Sequence, residues 1–227
     1  MNKRKMRTLP KFIITLSVLA IVFLFSLGVY DVFFNRGDNE TVPDKTGDYP
    51  LLFDEEITKA SLAFDVDKHI IASVIYCESS FDKDAVSSAG AVGLMQLLPE
   101  TLEWLCMRHG TEYSEKLLRD PEKNIYYGTM YLSILYGMYG NWDAVHAAYH
   151  AGFGRVNKWL EEETVFVNQD GKMENIPIEQ TASYVQKLRL VKPYYIEKIY
   201  ERGDIEWIIK HLRKSFYIGE KMALTTA

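Results

Sequence analysis

The pattern of apolar and polar positions divides the chain into a short N-terminal part and a longer helical part. An uncharged, largely apolar run extends from Phe12 to Tyr30. As a helix at about 1.5 Å per residue, a run of this length spans the hydrocarbon layer of a bilayer. Residues 35–50 hold few large apolar side chains and many Gly, Asp and Asn residues, so they predict a solvated linker. From residue 51 onward, apolar positions recur at the spacing of helices.

Capping and helix-breaking residues set the bounds of the helices that we expect beyond residue 51. Asp and Asn favour the position before a helix, Pro favours its first turn, and Gly favours the position after its last residue. The predicted helices run from Asp54, as the cap, to Phe64, over His69–Ser79 after Asp67, from Pro99 to Gly110, from Asp120-Pro121 to Gly140, from Asn141 to Gly152, over Arg155–Glu161, from Pro177 to Tyr200 with an interruption near Pro193, and over residues 204–215.

The helical pattern breaks at residues 163–176. The segment VFV at residues 165–167, followed by QDG at 169–171, predicts a small hairpin or loop. The sequence pattern lacks the alternation of strands and helices that indicates a parallel sheet. The predicted fold class is therefore mainly α with this small insertion, preceded by one N-terminal transmembrane helix.

The charges around the apolar run predict its orientation. Five basic residues precede it within residues 3–11, which favours a cytoplasmic N-terminus and an outward-facing remainder. A cleaved signal peptide also begins with basic residues, but this run is longer than a usual signal core and no small-residue cleavage pattern follows it. We therefore favour an uncleaved anchor in a single-pass protein of the cell membrane. The expected segments are a cytoplasmic tail at residues 1–11, a transmembrane signal-anchor at 12–34 and a linker at 35–50.

Composition and charge exclude several classes of protein. The chain holds 26 Lys+Arg and 31 Asp+Glu, a net charge of −5, so it lacks the basic excess that nucleic-acid binding requires. Residues 1–34 hold 5 basic and 1 acidic residue, so the other 21 basic and 30 acidic residues give residues 35–227 a charge of −9. Two cysteines are too few for a disulfide scaffold or a structural zinc site. Cys77 and Cys106 could pair outside the membrane or stay as two buried thiols.

Glu78 lies on the apolar face of the helix predicted over His69–Ser79. At 100° per residue it follows Ile71 and Val74 on the same arc. A carboxyl group on a core-facing arc is desolvated, which raises its pKa and lets it act as a general acid near neutral pH. The pattern alone leaves open that the helix ends there and that Glu78 points into solvent.

The segment that follows Glu78 carries a family resemblance. Residues 78–96 read ESSFDKDAVSSAGAVGLMQ, and LLPET follows. This segment resembles the catalytic segment of the soluble lytic transglycosylases, relatives of goose-type lysozyme that cleave peptidoglycan. Thirteen matches at fixed spacing are far more specific than a short glycine motif. They are Glu78, Ser79, Phe81, Ala85, Ser87, Gly90, Ala91, Gly93, Leu94, Met95, Gln96, Pro99 and Thr101.

Two motifs further along the chain resemble the same family. Residues 148–152 read AYHAG, with His150 where the family usually has Asn. Residues 176–185 resemble the family's last motif, with Gln180 where Glu is usual. The resemblance covers about residues 52–201, and it implies a lysozyme-like helical domain. We therefore expect a catalytic domain at residues 51–203 and a helical tail at 204–227.

The resemblance also implies a reaction and a set of site residues. In the family, one glutamate protonates the glycosidic oxygen between N-acetylmuramic acid and N-acetylglucosamine, and then acts as a base while the muramic C6 hydroxyl closes on C1. The product has a 1,6-anhydro end and no water is consumed. The implied residues are Glu78 for catalysis and Ser87, Gln96, Leu98, Tyr149, His150 and Tyr184 for substrate binding. Peptidoglycan glycan strands and the membrane are the expected partners, with cell-wall or secretion-machinery proteins as further candidates, and no cofactor is expected.

Two alternatives stay open from the sequence, and a third, a metal site, is not expected. If Asp82, Asp84 or Glu100 faced Glu78 across the cleft, two carboxylates would permit hydrolysis by a muramidase. The departures at His150 and Gln180 leave room for a non-catalytic glycan-binding or scaffold protein. His146 and His150 lie four residues apart, as zinc ligands can, but the glutamate of a hydrolytic zinc pair is missing, so no metal is expected.

Overall fold

Eight α-helices and one two-stranded hairpin follow one another within residues 49–201, the part of the chain that the computed structural model describes. The predicted mainly α class is confirmed. The elements are α1 (Asp54–Phe64), α2 (Lys68–Ser79), α3 (Pro99–His109), α4 (Lys116–Arg119), α5 (Pro121–Tyr139), α6 (Trp142–Ala151), α7 (Phe153–Glu161), β1 (Phe166–Val167), β2 (Met173–Glu174) and α8 (Glu179–Glu201).

Side-chain caps and glycines set several of these bounds, as the sequence predicts. The Asp120 carboxylate accepts a hydrogen bond from Lys123 N at 3.1 Å at the start of α5. The Asn141 side chain accepts one from Ala144 N at 3.0 Å at the start of α6. Both contacts satisfy backbone donors that the first turn of a helix leaves unpaired. The hairpin predicted at residues 163–176 is also present, with antiparallel pairing of β1 and β2.

Two local predictions are wrong, and one short helix was not predicted. Asp54 is the first residue of α1 rather than its cap, because Phe53 precedes it with a left-handed φ of 56°. Helix α8 continues through Pro193, since Tyr195 and Ile199 beyond the proline are fully buried and hold the helix against the core. Helix α4 has only four residues, too few to show a helical period in the sequence.

The segments predicted at residues 1–11 and 12–34, and the predicted helix at 204–215, lie outside the described residues. Nearly all of the predicted linker at 35–50 lies outside them as well. Within residues 49–201, no helix combines the length and the apolar character that a membrane crossing needs.

Helix α2 runs through the core and ends at its edge. Residues 68–75 are all buried, and the helix packs against α1 and α8. Burial of Ile70, Ile71, Val74 and Ile75 stabilises the fold by about 1.5–3 kcal/mol for each side chain. The last turn, residues 76–79, is partly exposed. The core therefore places Glu78 at the boundary between apolar packing and solvent.

A partly buried ion pair fixes the hairpin to the helices. Arg189 on α8 donates from Nε at 3.0 Å and from Nη2 at 2.5 Å to Asp143 Oδ2 on α6. The same carboxylate oxygen accepts a hydrogen bond from Met173 N at 2.9 Å, and Arg189 Nη2 also donates to Met173 O at 3.0 Å. At the hairpin turn, Asn141 Nδ2 donates to Gly171 O at 2.7 Å. Strand β2 is thus tied to both α6 and α8.

His146 lies one helical turn after Asp143 and is buried. Neither of its ring nitrogens has a hydrogen-bond partner among residues 49–201, and its ring centroid lies 5.8 Å from that of Trp142. Burial lowers the pKa of His146 to about 3, helped by the nearby charges of Lys192 and Arg189 and opposed by that of Asp143. The ring is therefore neutral in the folded protein at any pH near neutrality.

We expect the wild type to lose stability as the pH falls from 7 to 5, and we expect His146→Leu to lack the part of this loss that His146 causes. The unfolded imidazole takes up a proton below about pH 6.5, whereas the folded one does so only near 3, so the stability present above pH 6.5 is lost as the pH falls. The loss is about 2 kcal/mol between pH 7 and pH 5. Urea unfolding of both proteins at both pH values measures it. An equal pH response in the two proteins would show that the folded ring is not held neutral.

Candidate active site

Glu78 receives a hydrogen bond from a tyrosine on the last helix. Tyr184 Oη on α8 donates to Glu78 Oε1 at 2.6 Å. Burial raises the pKa of Glu78 to about 7, while this hydrogen bond and the charge of Lys187 act in the opposite direction. The carboxyl group therefore exchanges its proton near neutral pH. The sequence predicts this raised pKa, because it places Glu78 on the core-facing side of the helix.

His150 contacts the tyrosine that binds Glu78. Its ring centroid lies 4.7 Å from that of Tyr184, and its Nδ1 lies 3.1 Å from Oγ1 of the buried Thr181. Partial burial lowers the pKa of His150. The residue that departs from the family pattern thus lies against the hydrogen-bonding partner of the carboxyl group. Gln180, the second departure, is exposed at the start of α8.

Tyr149 binds the backbone of the loop between α2 and α3. Its hydroxyl donates to Met95 O at 2.8 Å, and its ring centroid lies 5.3 Å from that of Tyr131. Burial raises the pKa of Tyr149 well above its ordinary value, and the charge of Glu78 contributes to the rise. Tyr149 therefore lies near Glu78, with its hydroxyl engaged by the loop.

Ser87 and Gln96 form hydrogen bonds within the same loop. Ser87 Oγ accepts a bond from Ala91 N at 3.0 Å, and Gln96 Nε2 donates to Ala85 O at 3.1 Å and to Gly93 O at 2.9 Å. The Ser87 hydroxyl proton and the Gln96 Oε1 remain available for a ligand. Leu98, the third residue predicted in this region, directly precedes α3 and is partly exposed. The structure groups these three residues with the loop, places Tyr184 and Tyr149 near Glu78, and places His150 against Tyr184.

Asn124 on α5 fixes the middle of the loop, a role that the sequence did not reveal. It is buried, its Oδ1 accepts from Met95 N at 2.7 Å, and its Nδ2 donates to Val92 O at 3.0 Å and to Leu118 O at 2.8 Å. Gly93 permits this approach, because a Cβ at that position would lie 2.5 Å from Asn124 Nδ2. One amide therefore connects three segments of the chain.

None of the three carboxylates proposed as a second catalytic group contributes to the pKa of Glu78 in the described part of the chain. Asp82, Asp84 and Glu100 are all exposed. Asp82 Oδ1 accepts a hydrogen bond from Asp84 N at 2.9 Å, and Asp84 pairs with Lys83 at 2.8 Å. The pair of facing carboxylates that a hydrolytic glycosidase uses is therefore not formed by these residues.

The cysteines and histidines form neither a disulfide nor a metal site within residues 49–201. Cys77 and Cys106 are free thiols, which answers the question of pairing that the sequence left open. Burial raises the pKa of Cys77 to about 12, so its thiol is protonated. No group of three or more His, Cys, Asp or Glu side chains in this part of the chain could hold a metal ion.

A single partly buried glutamate at the end of a core helix, within a mainly helical domain, is the arrangement of the lysozyme-like class. Residues 55–169, which are 115 of the 227 residues, match the family described as the transglycosylase SLT domain. The chain therefore belongs to the transglycosylase SLT domain family.

Individual relatives agree with this family and differ in their own cellular setting. The chain is 30% identical over 166 residues to the soluble lytic murein transglycosylase of Salmonella typhimurium. The matched region covers 70% of this chain and 26% of the relative. It is 35% identical over 118 residues to the membrane-bound lytic murein transglycosylase C of Haemophilus influenzae, covering 47% of this chain and 33% of the relative. The chain thus spans about a quarter to a third of the length of these relatives.

A solved structure has the same helical fold. The crystal structure of an inactive Glu-to-Gln mutant of the lytic transglycosylase Slt from Pseudomonas aeruginosa superposes with a TM-score of 0.61 at 31% identity. The similarity covers 67% of this chain and 25% of that chain. The lysozyme-like helical fold implied by the sequence resemblance is confirmed.

Proposed function

We propose that this protein is a peptidoglycan lytic transglycosylase in which Glu78 is the one catalytic carboxyl group. The observation that carries the proposal is the environment of Glu78: burial raises its pKa to about 7, Tyr184 donates to it, and no other carboxylate of residues 49–201 influences it. Membership of the transglycosylase SLT domain family supports the substrate class. The inactive Glu-to-Gln mutant of the Pseudomonas relative supports an essential glutamate.

The proposed reaction has two proton transfers through the same carboxyl group. Protonated Glu78 first donates to the glycosidic oxygen between N-acetylmuramic acid and N-acetylglucosamine, and the bond from that oxygen to muramic C1 breaks. The resulting carboxylate then takes the proton of the muramic C6 hydroxyl, and the oxygen of that hydroxyl forms a bond to C1. A group with a pKa near neutrality suits both steps, because it is neither too weak an acid nor too weak a base. The proton returns to Glu78 and no water is consumed.

The other site residues have proposed supporting roles. Tyr184 orients the Glu78 carboxyl group, and its ring, with those of Tyr149 and His150, forms one side of the sugar site. Ser87 Oγ–H and Gln96 Oε1 offer polar contacts from the loop, and Leu98 offers an apolar one. The substrate's acetamide oxygen stabilises the cationic C1 in place of a second carboxylate, which fits the exposed positions of Asp82, Asp84 and Glu100.

We expect Glu78→Gln to reduce the release of anhydro products by about 10³-fold, because the amide can neither donate nor accept the transferred proton. The full-length protein is purified in detergent and incubated with peptidoglycan. Mass spectrometry of the released products then measures this loss. Glu100→Gln, at an exposed carboxylate, is the matched control and should keep wild-type activity. Reducing muramic ends instead of anhydro ends would indicate a hydrolytic muramidase, and binding without release would indicate a scaffold protein.

We expect Tyr184→Phe to move the alkaline limb of the pH–rate profile upward. The hydrogen bond from Tyr184 stabilises the Glu78 carboxylate and so lowers its pKa, and its loss lets the pKa rise above about 7. Because the first step needs the protonated acid, kcat/KM should persist to a pH about one unit higher. Tyr126→Phe removes a hydroxyl that instead binds His109, and it should leave the limb in place. A downward shift in Tyr184→Phe would contradict the proposed role.

We further propose that residues 12–34 anchor the protein in the cell membrane, with the N-terminus in the cytoplasm and the catalytic domain at 51–203 outside. The apolar run and its basic flank support this placement. The relatives include both soluble and membrane-bound enzymes, so similarity alone does not decide it. After alkaline carbonate washing, the full-length protein should remain with the membranes, and a chain that lacks residues 1–34 should not. Release of the full-length protein would contradict the anchor.

A further inference from the structure

Tyr49, Pro50 and Leu51 form a strap that lies against helices α2 and α8. Tyr195 Oη on α8 donates a hydrogen bond to Pro50 O at 2.9 Å, and Lys198 Nζ on the same helix donates to Tyr49 O. Leu51, the third residue of the strap, is buried in the core. Two side chains of α8 therefore hold successive backbone carbonyls of the strap, although they lie 145 and 149 positions away in the sequence.

The ring of Tyr49 connects α8 with the last turn of α2. It stacks on Tyr194 of α8, with 4.4 Å between the ring centroids and 18° between the planes, and its centroid lies 5.0 Å from that of Tyr76 on α2. Burial raises the pKa of Tyr49, and smaller contributions come from three neighbours that include Cys77. The strap thus contacts the partly exposed turn that carries Glu78, and it does so beside the residue that directly precedes this glutamate.

Tyr195 joins the strap to both sides of the end of α2. This ring is fully buried, and its centroid lies 6.2 Å from those of Tyr49, Tyr76 and Phe81. Phe81 is buried as well and follows the helix by two residues, with a left-handed φ of 67°. The strap and α8 therefore pack on residues that come before and after Glu78 in the chain.

The titratable groups that interact with Glu78 come from other parts of the domain. In the described part of the chain they are Tyr184 and Lys187 on α8, Tyr149 on α6 and Cys77 on α2 itself. The strap adds no charge to this set near neutral pH, so it influences the glutamate through packing and access of water. Burial is the largest cause of the raised pKa of Glu78, and a looser turn that admits water would lower that pKa.

We propose that Tyr49 is a positioning residue, and that the strap holds the last turn of α2 against α8 and so keeps Glu78 in its buried position beside Tyr184. The inference rests on the proposed function, because that function makes Glu78 the catalytic group. It also moves the start of the working domain into the predicted linker, since the side chain of Tyr49 acts on the reaction without touching the substrate.

The pH–rate profile of the full-length protein tests the position of Glu78. Tyr49→Ala should move the alkaline limb of kcat/KM downward by about one pH unit, opposite in direction to Tyr184→Phe, because water that reaches the turn lowers the pKa of Glu78. Above the limb, the rate should fall about tenfold. Tyr49→Phe keeps the ring and should restore the wild-type limb. A limb that stays in place or moves upward in Tyr49→Ala would overturn the inference, even if the variant melts at a lower temperature.

Tyr136→Ala is the matched control, because Tyr136 is a tyrosine that stacks on Trp142 with 4.6 Å between the ring centroids. It should leave the limb in place, and an equal downward shift there would overturn the inference, since the loss of any packed ring would then suffice. Lys198→Met releases the carbonyl of Tyr49 without removing a ring, and it should give a smaller downward shift. If Tyr49→Ala does not fold, Lys198→Met decides, and an unchanged limb in that variant would overturn the inference.

A direct titration of Glu78 separates this inference from the proposed function. Carbon-13 NMR of the full-length protein, labelled at the glutamate carboxyl groups, follows the titration without any substrate, and Glu78→Gln identifies the signal. The wild-type carboxyl group should titrate near pH 7 and that of Tyr49→Ala at a lower pH. If the wild type released no anhydro product but this shift occurred, the lytic function would fail and the positioning role would stand. If the wild type cleaved peptidoglycan and the titration were the same in both proteins, the positioning role would fail and the lytic function would stand.

Discussion

The burial of α2 is the constraint on which the site depends. Residues 68–75 are packed against α1 and α8, and this packing fixes where the helix leaves the core. Glu78 comes at that exit, so its carboxyl group is held away from bulk water by the same apolar contacts that stabilise the fold. A displacement of the helix by one turn would expose the group and return its pKa toward that of an ordinary glutamate.

Helix α8 supplies the polar groups that face Glu78. Tyr184 donates to the carboxyl group, Thr181 contacts His150, and the charge of Lys187 lowers the pKa of Glu78. Successive members of this set are three positions apart, so one helical face carries them all. Burial of Tyr195 and Ile199 beyond Pro193 keeps this helix continuous and keeps its face in register with α2.

Much of the helical fold followed from local signals, and the position of Glu78 followed from periodicity. Asp120, Asn141 and Gly110 act on their immediate neighbours, so their effects can be predicted from the sequence. Contacts between distant segments could not be predicted in this way. Asn124 bonds to residues about 30 positions away, and Arg189 meets Asp143 across 46 positions. No local pattern distinguishes such an amide or guanidinium from one that is exposed to water.

The pairing of Asp143 with Arg189 also has an energetic consequence for the hairpin. It fixes β2 against α8 through Met173, so the strand is ordered by residues that lie far from it in the sequence. A two-stranded hairpin is at best marginally stable on its own in water. The conformational entropy that is lost in ordering this one is therefore offset by contacts with α6 and α8, and not by the pairing of its own two strands.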